Sequence, residues 1–117
     1  MSKRIFTLKE SIDLLPRVQE ITRAAVARAE EVLRTLEDTA DARARQELEK
    51  RYQHVVRDWA EDITHLGAEV KGLWLVDFDS GDGLYYCWRH PEPQLEYFHD
   101  YETGFAGRRP LGRLGLN

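Results

Sequence analysis

Apolar side chains recur every three or four residues over the first 66 positions, and this spacing is the period of an α-helix. One stripe follows a heptad and contains Leu15, Val18, Thr22, Ala25, Ala29, Val32 and Leu36. A second stripe contains Leu48, Tyr52, Val55, Trp59, Ile63 and Leu66. Small residues in the middle of the first stripe leave room for the bulky second one, as in coiled-coil packing. The pattern therefore predicts that residues 1–66 form an antiparallel helical hairpin.

Local signals set the ends of these helices. Thr7 and Glu10 have the spacing of a capping box, in which each side chain bonds the other's backbone amide, so the first helix begins there. Pro16 has no amide hydrogen and clashes with the preceding turn. We therefore expect a short helix over about residues 8–14 that ends or kinks at Pro16, where a long helix starts. Gly67 ends the second long helix, because glycine readily adopts the left-handed conformation of a C-terminal cap.

The pattern changes from helical to extended after the second helix. The predicted strands cover residues 73–78, 84–89 and 95–99. A turn rich in glycine and aspartate joins the first two strands, and a Pro-Glu-Pro segment stiffens the next connection. We expect a three-stranded antiparallel meander and a Gly/Arg loop within residues 67–111, then a tail at residues 112–117. The whole chain of 117 residues is the right length for a single α+β domain.

The composition narrows the class of protein. No apolar run approaches the ~18 residues that a membrane-spanning helix needs, and the N-terminus lacks the apolar core of a signal peptide. A lone Cys87 cannot form an internal disulfide, which fits a reducing compartment, so we expect a cytoplasmic protein. The net charge is −4, and the basic cluster of Arg108, Arg109 and Arg113 is too small to favour nucleic-acid binding.

The helical hairpin has more apolar residues than its two stripes need. The extra positions are Leu14, Ile21, Val26, Leu33 and Val56. A three-stranded sheet is too narrow to cover all of them, and an uncovered apolar helix face favours a partner. We therefore expect a homodimer joined through the long helices.

Several segments of the chain are distinctive as strings of residues. They are FTLKESIDLLPRV, GAEVKG, LVDF, CW, a Pro-Glu-Pro connection, an aromatic–His pair and GFAGRRPL. Over residues 5–111 these segments resemble the DUF2203 family, a group of short bacterial proteins of unknown function. The chain departs from the family pattern at Asp79, where a proline is usual, and at Phe98, where a tryptophan is usual. It also has Pro91-Glu92 where the family tends to have Gly-Glu. The resemblance implies no reaction, so function depends on the individual residues.

Asp77 stands out because it lies inside an otherwise apolar strand, LWLVDF. An unpaired buried carboxylate is costly, so a cationic partner is expected. The favoured interpretation is a structural ion pair between Asp77 and Arg108 or Arg109 that holds the C-terminal loop on the sheet. The alternative is a polar pocket in which Asp77, His99 and Arg108 converge as catalytic or ligand-binding groups.

His99 is the best candidate for a metal ligand or a general acid–base group, because imidazole titrates near neutral pH. Together with Asp77 and Glu92, or with Glu102, it would suit a divalent metal such as zinc or manganese. No His-x₃-His or Cys-x₂-Cys spacing supports this set, so a metal cofactor is the less favoured hypothesis. Cys87 is interpreted as a small buried residue rather than a nucleophile.

The segment GFAGRR is the candidate anion site. Gly104 and Gly107 permit a concave run of backbone N–H donors, and Arg108 and Arg109 add fixed guanidinium groups. Such a loop could hold a phosphate or a carboxylate. A simple glycine-enabled turn explains the same residues and is favoured, because the loop lacks the lysine and the strand–loop–helix setting of phosphate-binding motifs.

Two functional hypotheses follow. The first is a homodimeric interaction module or small-ligand-binding module that has a small anionic ligand or a protein as its partner. The second is a small enzyme, or a metal- or anion-binding protein, whose polar site contains Asp77, His99 and Arg108. They differ in whether these side chains meet in an open cleft or are consumed by pairing with one another.

Overall fold

The computed structural model describes residues 4–114. Two helices are followed by a five-stranded antiparallel sheet, so the predicted α+β class is confirmed. The helices are α1, Leu8–Glu37, and α2, Ala42–His65. The strands, in both chain order and spatial order, are β1 Glu69–Gly72, β2 Leu75–Asp79, β3 Leu84–Arg89, β4 Tyr97–Asp100 and β5 Arg109–Pro110. No helix in this part of the chain is long and apolar enough to cross a membrane.

Helix α1 begins at the predicted capping box: the Glu10 amide donates to Thr7 Oγ1 at 3.0 Å, and the Thr7 amide donates to Glu10 Oε1 at 2.8 Å. Of the two outcomes predicted at Pro16, an end or a kink, the end is wrong, because α1 continues through this residue. Pro16 and Ile12, the residue one turn earlier, both lie on the exposed face. Water can therefore hydrate the carbonyl that Pro16 leaves without a donor. The neighbouring Leu15 is buried and anchors this turn to the core.

Helix α2 begins after Asp41, whose carboxylate caps the Ala44 amide at 2.9 Å, and it is followed by Gly67 with a φ of 94°. The predicted hairpin is confirmed, and the stripe of α1 from Leu15 to Val32 is buried. One polar pair lies between the helices: the Trp59 indole N–H donates to Thr22 Oγ1 at 2.8 Å. Both groups are therefore satisfied in a dry interface.

The sheet has two strands more than the three predicted. β1 is four residues long, its Glu69 and Lys71 are polar, and it ends at Gly72, so it has little of the pattern of a strand. β5 has only two residues and pairs with β4 after a loop has brought it back. Trp74 has a φ of 59°, so the strand predicted to start at residue 73 begins after this left-handed turn. The predicted tail at residues 112–117 begins inside a 3₁₀ turn, Leu111–Leu114, and residues 115–117 lie outside the described residues.

Alternate residues along the strands point to opposite faces of the sheet. We call the face that packs on the helices the inner face; its buried side chains are Val76, Phe78, Tyr86, Trp88 and Phe98. The opposite, outer face carries Asp77, Asp79, Tyr85, Cys87 and His99, all of them buried. The segment 101–108, which includes a 3₁₀ turn at Phe105–Gly107, lies over the outer face.

Candidate functional site

Three adjacent strands bring Asp77, Cys87 and His99 together on the outer face. Asp77 on β2 is paired across the sheet with Cys87 on β3. His99 on β4 is paired with Tyr85, two residues before Cys87, and its ring therefore reaches Asp77 diagonally. The distance between His99 Nε2 and Asp77 Oδ2 is 2.8 Å. The structure thus brings together two of the three residues in the predicted pocket.

The second ring nitrogen of His99 fixes the position of the protons. Nδ1 lies 2.7 Å from the backbone carbonyl of Asp100, and a carbonyl oxygen only accepts, so Nδ1 carries a hydrogen. A hydrogen bond between Nε2 and Asp77 Oδ2 needs one further proton, which is carried either by the imidazole or by the carboxyl group. The Asp77–His99 pair is therefore a shared-proton pair whose net charge is zero.

Asp77 is fully buried, with no exposed surface. Burial raises the pKa of its carboxyl above the ordinary range. A side-chain hydrogen bond with Cys87, and the charge and hydrogen bond of His99, offset this effect only in part. Its second oxygen, Oδ1, has no hydrogen-bond partner among residues 4–114. A buried carboxylate oxygen without a donor is costly, so this atom marks the point where the site is incomplete.

Cys87 is fully buried beside Asp77. Burial, followed by the charge of Asp77, raises the pKa of its thiol far above the ordinary value, although nearby Arg108 acts in the opposite direction. A thiol in this state is a poor nucleophile, as the sequence interpretation held. One ligand atom each from Asp77, Cys87 and His99 lie within 4.8 Å of one another, which makes these residues the candidate metal ligands of the described chain.

A cavity of about 250 Å³ opens over the shared-proton pair. Its walls are Lys71, Leu75, Asp77, Tyr85, His99, Tyr101, Glu102, Gly104 and Phe105. Near Asp77, the Lys71 ammonium lies 3.3 Å from the Tyr85 hydroxyl and 3.0 Å from a Glu69 carboxylate oxygen. The hydroxyl in turn donates to Glu69 at 3.2 Å. The cavity therefore combines a cation, a phenol and a carboxylate with apolar walls, which is the composition of a small-molecule site.

Arg108 does not form the ion pair with Asp77 that the sequence favoured. Its guanidinium bonds Glu92 at 2.7 Å and lies over the rings of Tyr97, at 4.0 Å, and Phe105, at 4.6 Å. The sequence argument assumed that a buried carboxylate needs a permanent cation, whereas His99 sits closer to Asp77 in the folded sheet. Glu92 is thereby also removed from the predicted metal set, because it holds Arg108 and accepts from the Arg89 amide at 2.8 Å.

The glycine-rich loop uses its own amides. The Gly107 amide donates to the Gly104 carbonyl at 3.0 Å, and the Arg108 amide donates to the Phe105 carbonyl at 3.1 Å. These donors are unavailable to an anion, which favours the turn interpretation. A Cβ on Gly107 would lie 2.4 Å from the Thr103 side chain, so glycine is needed there for close approach. Arg109 extends from this loop and lies 3.8 Å from Asp100.

A larger depression, of about 510 Å³, lies on the other side of the molecule beside the start of α1. Three of its polar side chains are already paired: Thr7 and Glu10 bond one another's backbone, and the Ser80 hydroxyl donates to the Leu84 carbonyl at 2.6 Å. Volume alone therefore does not locate the chemistry, and the smaller cavity over Asp77 is the better candidate.

Sequence reasoning missed Cys87 as a neighbour of the Asp77–His99 pair, and it missed Tyr85 and Lys71 as cavity residues. The sequence did contain a signal for Cys87. Residues 77 and 87 are equally far from position 82 in the predicted turn, so they face each other across the hairpin that this turn connects. Lys71 lies on a strand that the pattern did not show.

Comparison with known proteins gives a family and no activity. No curated protein and no solved structure matches the chain. The profile of DUF2203, described as an uncharacterized conserved protein, matches residues 4–111, so the resemblance seen in the segments is confirmed over nearly the whole chain. This chain belongs to the DUF2203 family.

Proposed function

We propose that the protein is a small-ligand-binding module whose ligand occupies the outer-face cavity over Asp77 and His99. The observation that supports this most directly is Asp77 Oδ1, a buried carboxylate oxygen without a hydrogen-bond partner among residues 4–114, on a residue that lines a cavity of about 250 Å³. A ligand that brings a donor or a positive charge to this atom removes the desolvation cost that the unliganded protein bears. Arg108 lies outside this site, in its pair with Glu92.

Binding is favoured over catalysis by the way the reactive groups are held. Both nitrogens of His99 are already engaged, with Asp77 and with the Asp100 carbonyl. The Cys87 thiol is buried, and its raised pKa keeps it protonated. A general base or a nucleophile needs a free lone pair that faces a substrate. Asp77 Oδ1 is the acceptor that remains for a ligand in this cluster.

Thermal melting tests this proposal. The wild-type protein is treated with chelator and then melted with separate additions of divalent metal salts, inorganic phosphate, phosphorylated metabolites, carboxylic acids and nucleosides. A ligand that binds only the folded protein at 100 times its dissociation constant adds about 2.7 kcal/mol to the unfolding free energy. We expect at least one class to raise the melting temperature of the wild type and to leave Asp77→Asn unchanged.

The matched control is Glu61→Gln, which removes a carboxylate from the exposed face of α2. It should retain the ligand-dependent shift. A shift that is equal in the wild type and in Asp77→Asn would place the ligand elsewhere. If no class distinguishes these two proteins, the proposal is wrong.

We also propose that the protein is a homodimer through its helices. A groove of about 300 Å³ runs between α1 and α2, where Val32, Leu48 and Val55 form part of the wall. Leu48 and Val55 remain partly exposed, and Leu33 nearby is 41% exposed. Of these groups, Leu33 and Leu48 are not among the side chains that pack on the core cluster, so a second copy of the hairpin would bury them.

Sedimentation equilibrium at micromolar concentration measures the mass directly. We expect twice the chain mass for the wild type and the chain mass for Leu33→Glu, because the added charge would be buried in the interface. Leu73→Glu is the control, since Leu73 is exposed in the turn before β2. A wild type with the mass of a single chain at every concentration would exclude the dimer.

A further inference from the structure

We propose that the ligand of the outer-face site is a zinc-class divalent metal ion held by Asp77, Cys87 and His99, which rests on the site proposed above and names its ligand. The three residues offer a carboxylate oxygen, a sulfur and an imidazole nitrogen, all buried, with the ligand atoms within 4.8 Å of one another. These are the three donor types that zinc accepts in proteins.

The orientation of His99 is that of a metal-binding histidine. Such residues bind the metal through one nitrogen and donate the other N–H to a backbone carbonyl or a carboxylate, which fixes the ring. Here the Asp100 carbonyl holds Nδ1 at 2.7 Å, and this bond directs Nε2 towards Asp77 and Cys87. The fixed ring therefore points Nε2 at Asp77, and the lone pair of Nε2 becomes available to a metal ion when the shared proton leaves.

The carboxylate of Asp77 provides an independent indication. One of its oxygens shares a proton with His99, and the other, Oδ1, is buried without a partner among residues 4–114. A structural Asp–His pair would not require an unpaired oxygen at a fully buried position. A metal ion supplies the positive charge that this oxygen lacks.

The charges balance when the ion replaces protons. Without metal, the Asp77–His99 pair holds one shared proton and Cys87 holds its thiol proton, so the cluster is neutral. Binding of one divalent ion displaces both protons, and the ion then meets one carboxylate, one thiolate and one neutral imidazole. The two protons go to solvent, and the buried cluster has zero net charge before and after, so the exchange leaves no uncompensated charge in the interior.

The geometry requires a small adjustment. Donors at ~2.0–2.3 Å from a tetrahedral zinc ion stand ~3.3–3.8 Å apart. The observed atoms lie within 4.8 Å of one another, and His99 Nε2 is 2.8 Å from Asp77 Oδ2. Shifts of about 1 Å, within the reach of side-chain rotation, would close the site. Because the described residues supply three donors here, the fourth position would be left for a ligand from the cavity that Asp77 and His99 line.

The test uses the full chain, stripped with chelator and titrated with Co²⁺ and Zn²⁺, with Mg²⁺ and Ca²⁺ as oxygen-preferring comparisons. We expect one Co²⁺ per chain with a thiolate-to-cobalt charge-transfer band, displaced by Zn²⁺, and no effect of Mg²⁺ or Ca²⁺. Cys87→Ser should abolish the band, and Asp77→Asn should weaken binding at least ~10-fold, the loss seen when even a supporting residue is removed. His65→Gln, at an exposed histidine of α2, should leave binding unchanged.

The outcomes separate this inference from the proposed function. The band in the wild type needs no variant, so misfolding of Cys87→Ser, which circular dichroism would reveal, leaves the test intact. If cobalt binds without the band, or if the band survives in Cys87→Ser, the three-donor site is wrong. If no metal binds but an organic ligand separates the wild type from Asp77→Asn, the metal is wrong and the binding site stands. If neither a metal nor an organic ligand distinguishes the wild type from Asp77→Asn, both the metal site and the proposed ligand-binding function are wrong.

Discussion

Both faces of the sheet carry buried side chains, but those of the inner face are mostly apolar, whereas the outer face includes two carboxylates and an imidazole. On β2, Phe78 on the inner face and Asp77 on the outer face both have no exposed surface. Burial of Phe78 removes apolar area from water and stabilises the fold, whereas burial of Asp77 opposes folding unless its charge is compensated. Burial alone therefore does not identify a structural residue. For a polar side chain, it also matters whether its charge and its hydrogen-bonding atoms are matched by partners.

The buried polar groups in the helix interface and on the outer side of the sheet also differ in whether they have hydrogen-bond partners. The polar pair in the helix interface, Trp59 and Thr22, is satisfied by one hydrogen bond of 2.8 Å. On the outer side, Asp77 Oδ1 and Arg108 Nε are buried without hydrogen-bond partners among residues 4–114. Native proteins rarely leave such groups unpaired unless a ligand, ion or water completes them. Among residues 4–114, the helix interface thus pairs its own polar groups, whereas the outer side has buried polar atoms without a partner, and these atoms support the ligand proposed above.

The largest expected effect is on the inner face. Phe78→Ala removes a ring that meets Phe6 edge-on at 5.3 Å and leaves a cavity in the core, which should lower the unfolding free energy by about 3–5 kcal/mol. Chemical denaturation measures this change. Leu73→Ala, at a 48% exposed position, is the control and should change stability by less than ~0.5 kcal/mol. A comparable effect at both positions would mean that the inner face is not the core.

The next effect separates two adjacent arginines. Arg108 is 11% exposed and pairs with Glu92 at 2.7 Å, whereas Arg109 is 48% exposed and lies 3.8 Å from Asp100. Arg108→Ala should cost about 2 kcal/mol, because it leaves Glu92 without its cation and removes packing from two aromatic rings. Arg109→Ala should cost less than ~1 kcal/mol, as exposed pairs do. Equal losses in thermal or urea unfolding would show that burial does not set the strength of these pairs.

Periodicity in the sequence predicted the elements that form from local information. The helical stripes, the capping box at Thr7, the cap at Gly67 and strand β3 are all found where the pattern placed them. Pro16 misled the prediction because the cost of a proline depends on whether water can reach the freed carbonyl, and that is a property of the folded surface. Strands β1 and β5 are too short to have a period, and they exist because neighbouring strands provide partners.

The sequence predicted which residues belong to the candidate site better than it predicted which of them contact one another. Asp77 was identified because a charged residue in an apolar strand is unusual, and His99 because imidazole titrates near neutral pH. Their contact depends on the register of three strands, and a shift of one residue would have sent Asp77 to the inner face. Arg108 was assigned to Asp77 because the loop that carries it to Glu92 has no periodic signal.

The smallest expected effect addresses Asp77 itself and depends on pH. Burial raises the pKa of Asp77 above its ordinary value of 3.8, while Cys87, His99 and Lys71 offset the effect only in part. The folded protein therefore holds this proton more tightly than the unfolded chain does. The stability that Asp77 contributes is fully present below the unfolded pKa and is lost as the pH rises through the folded pKa.

Asp77→Asn imitates the protonated side chain and removes this titration. In chelator-treated protein, we expect the wild type to lose unfolding free energy relative to Asp77→Asn as the pH rises from about 3.8 towards neutrality. Urea unfolding of both proteins across this range measures the difference. A wild type that gains stability over the variant as the pH rises would mean that the charged Asp77–His99 pair is stabilising. Asp77 and His99 would then form a self-sufficient ion pair like that of Arg108 and Glu92, and Asp77 would give no reason to expect a ligand.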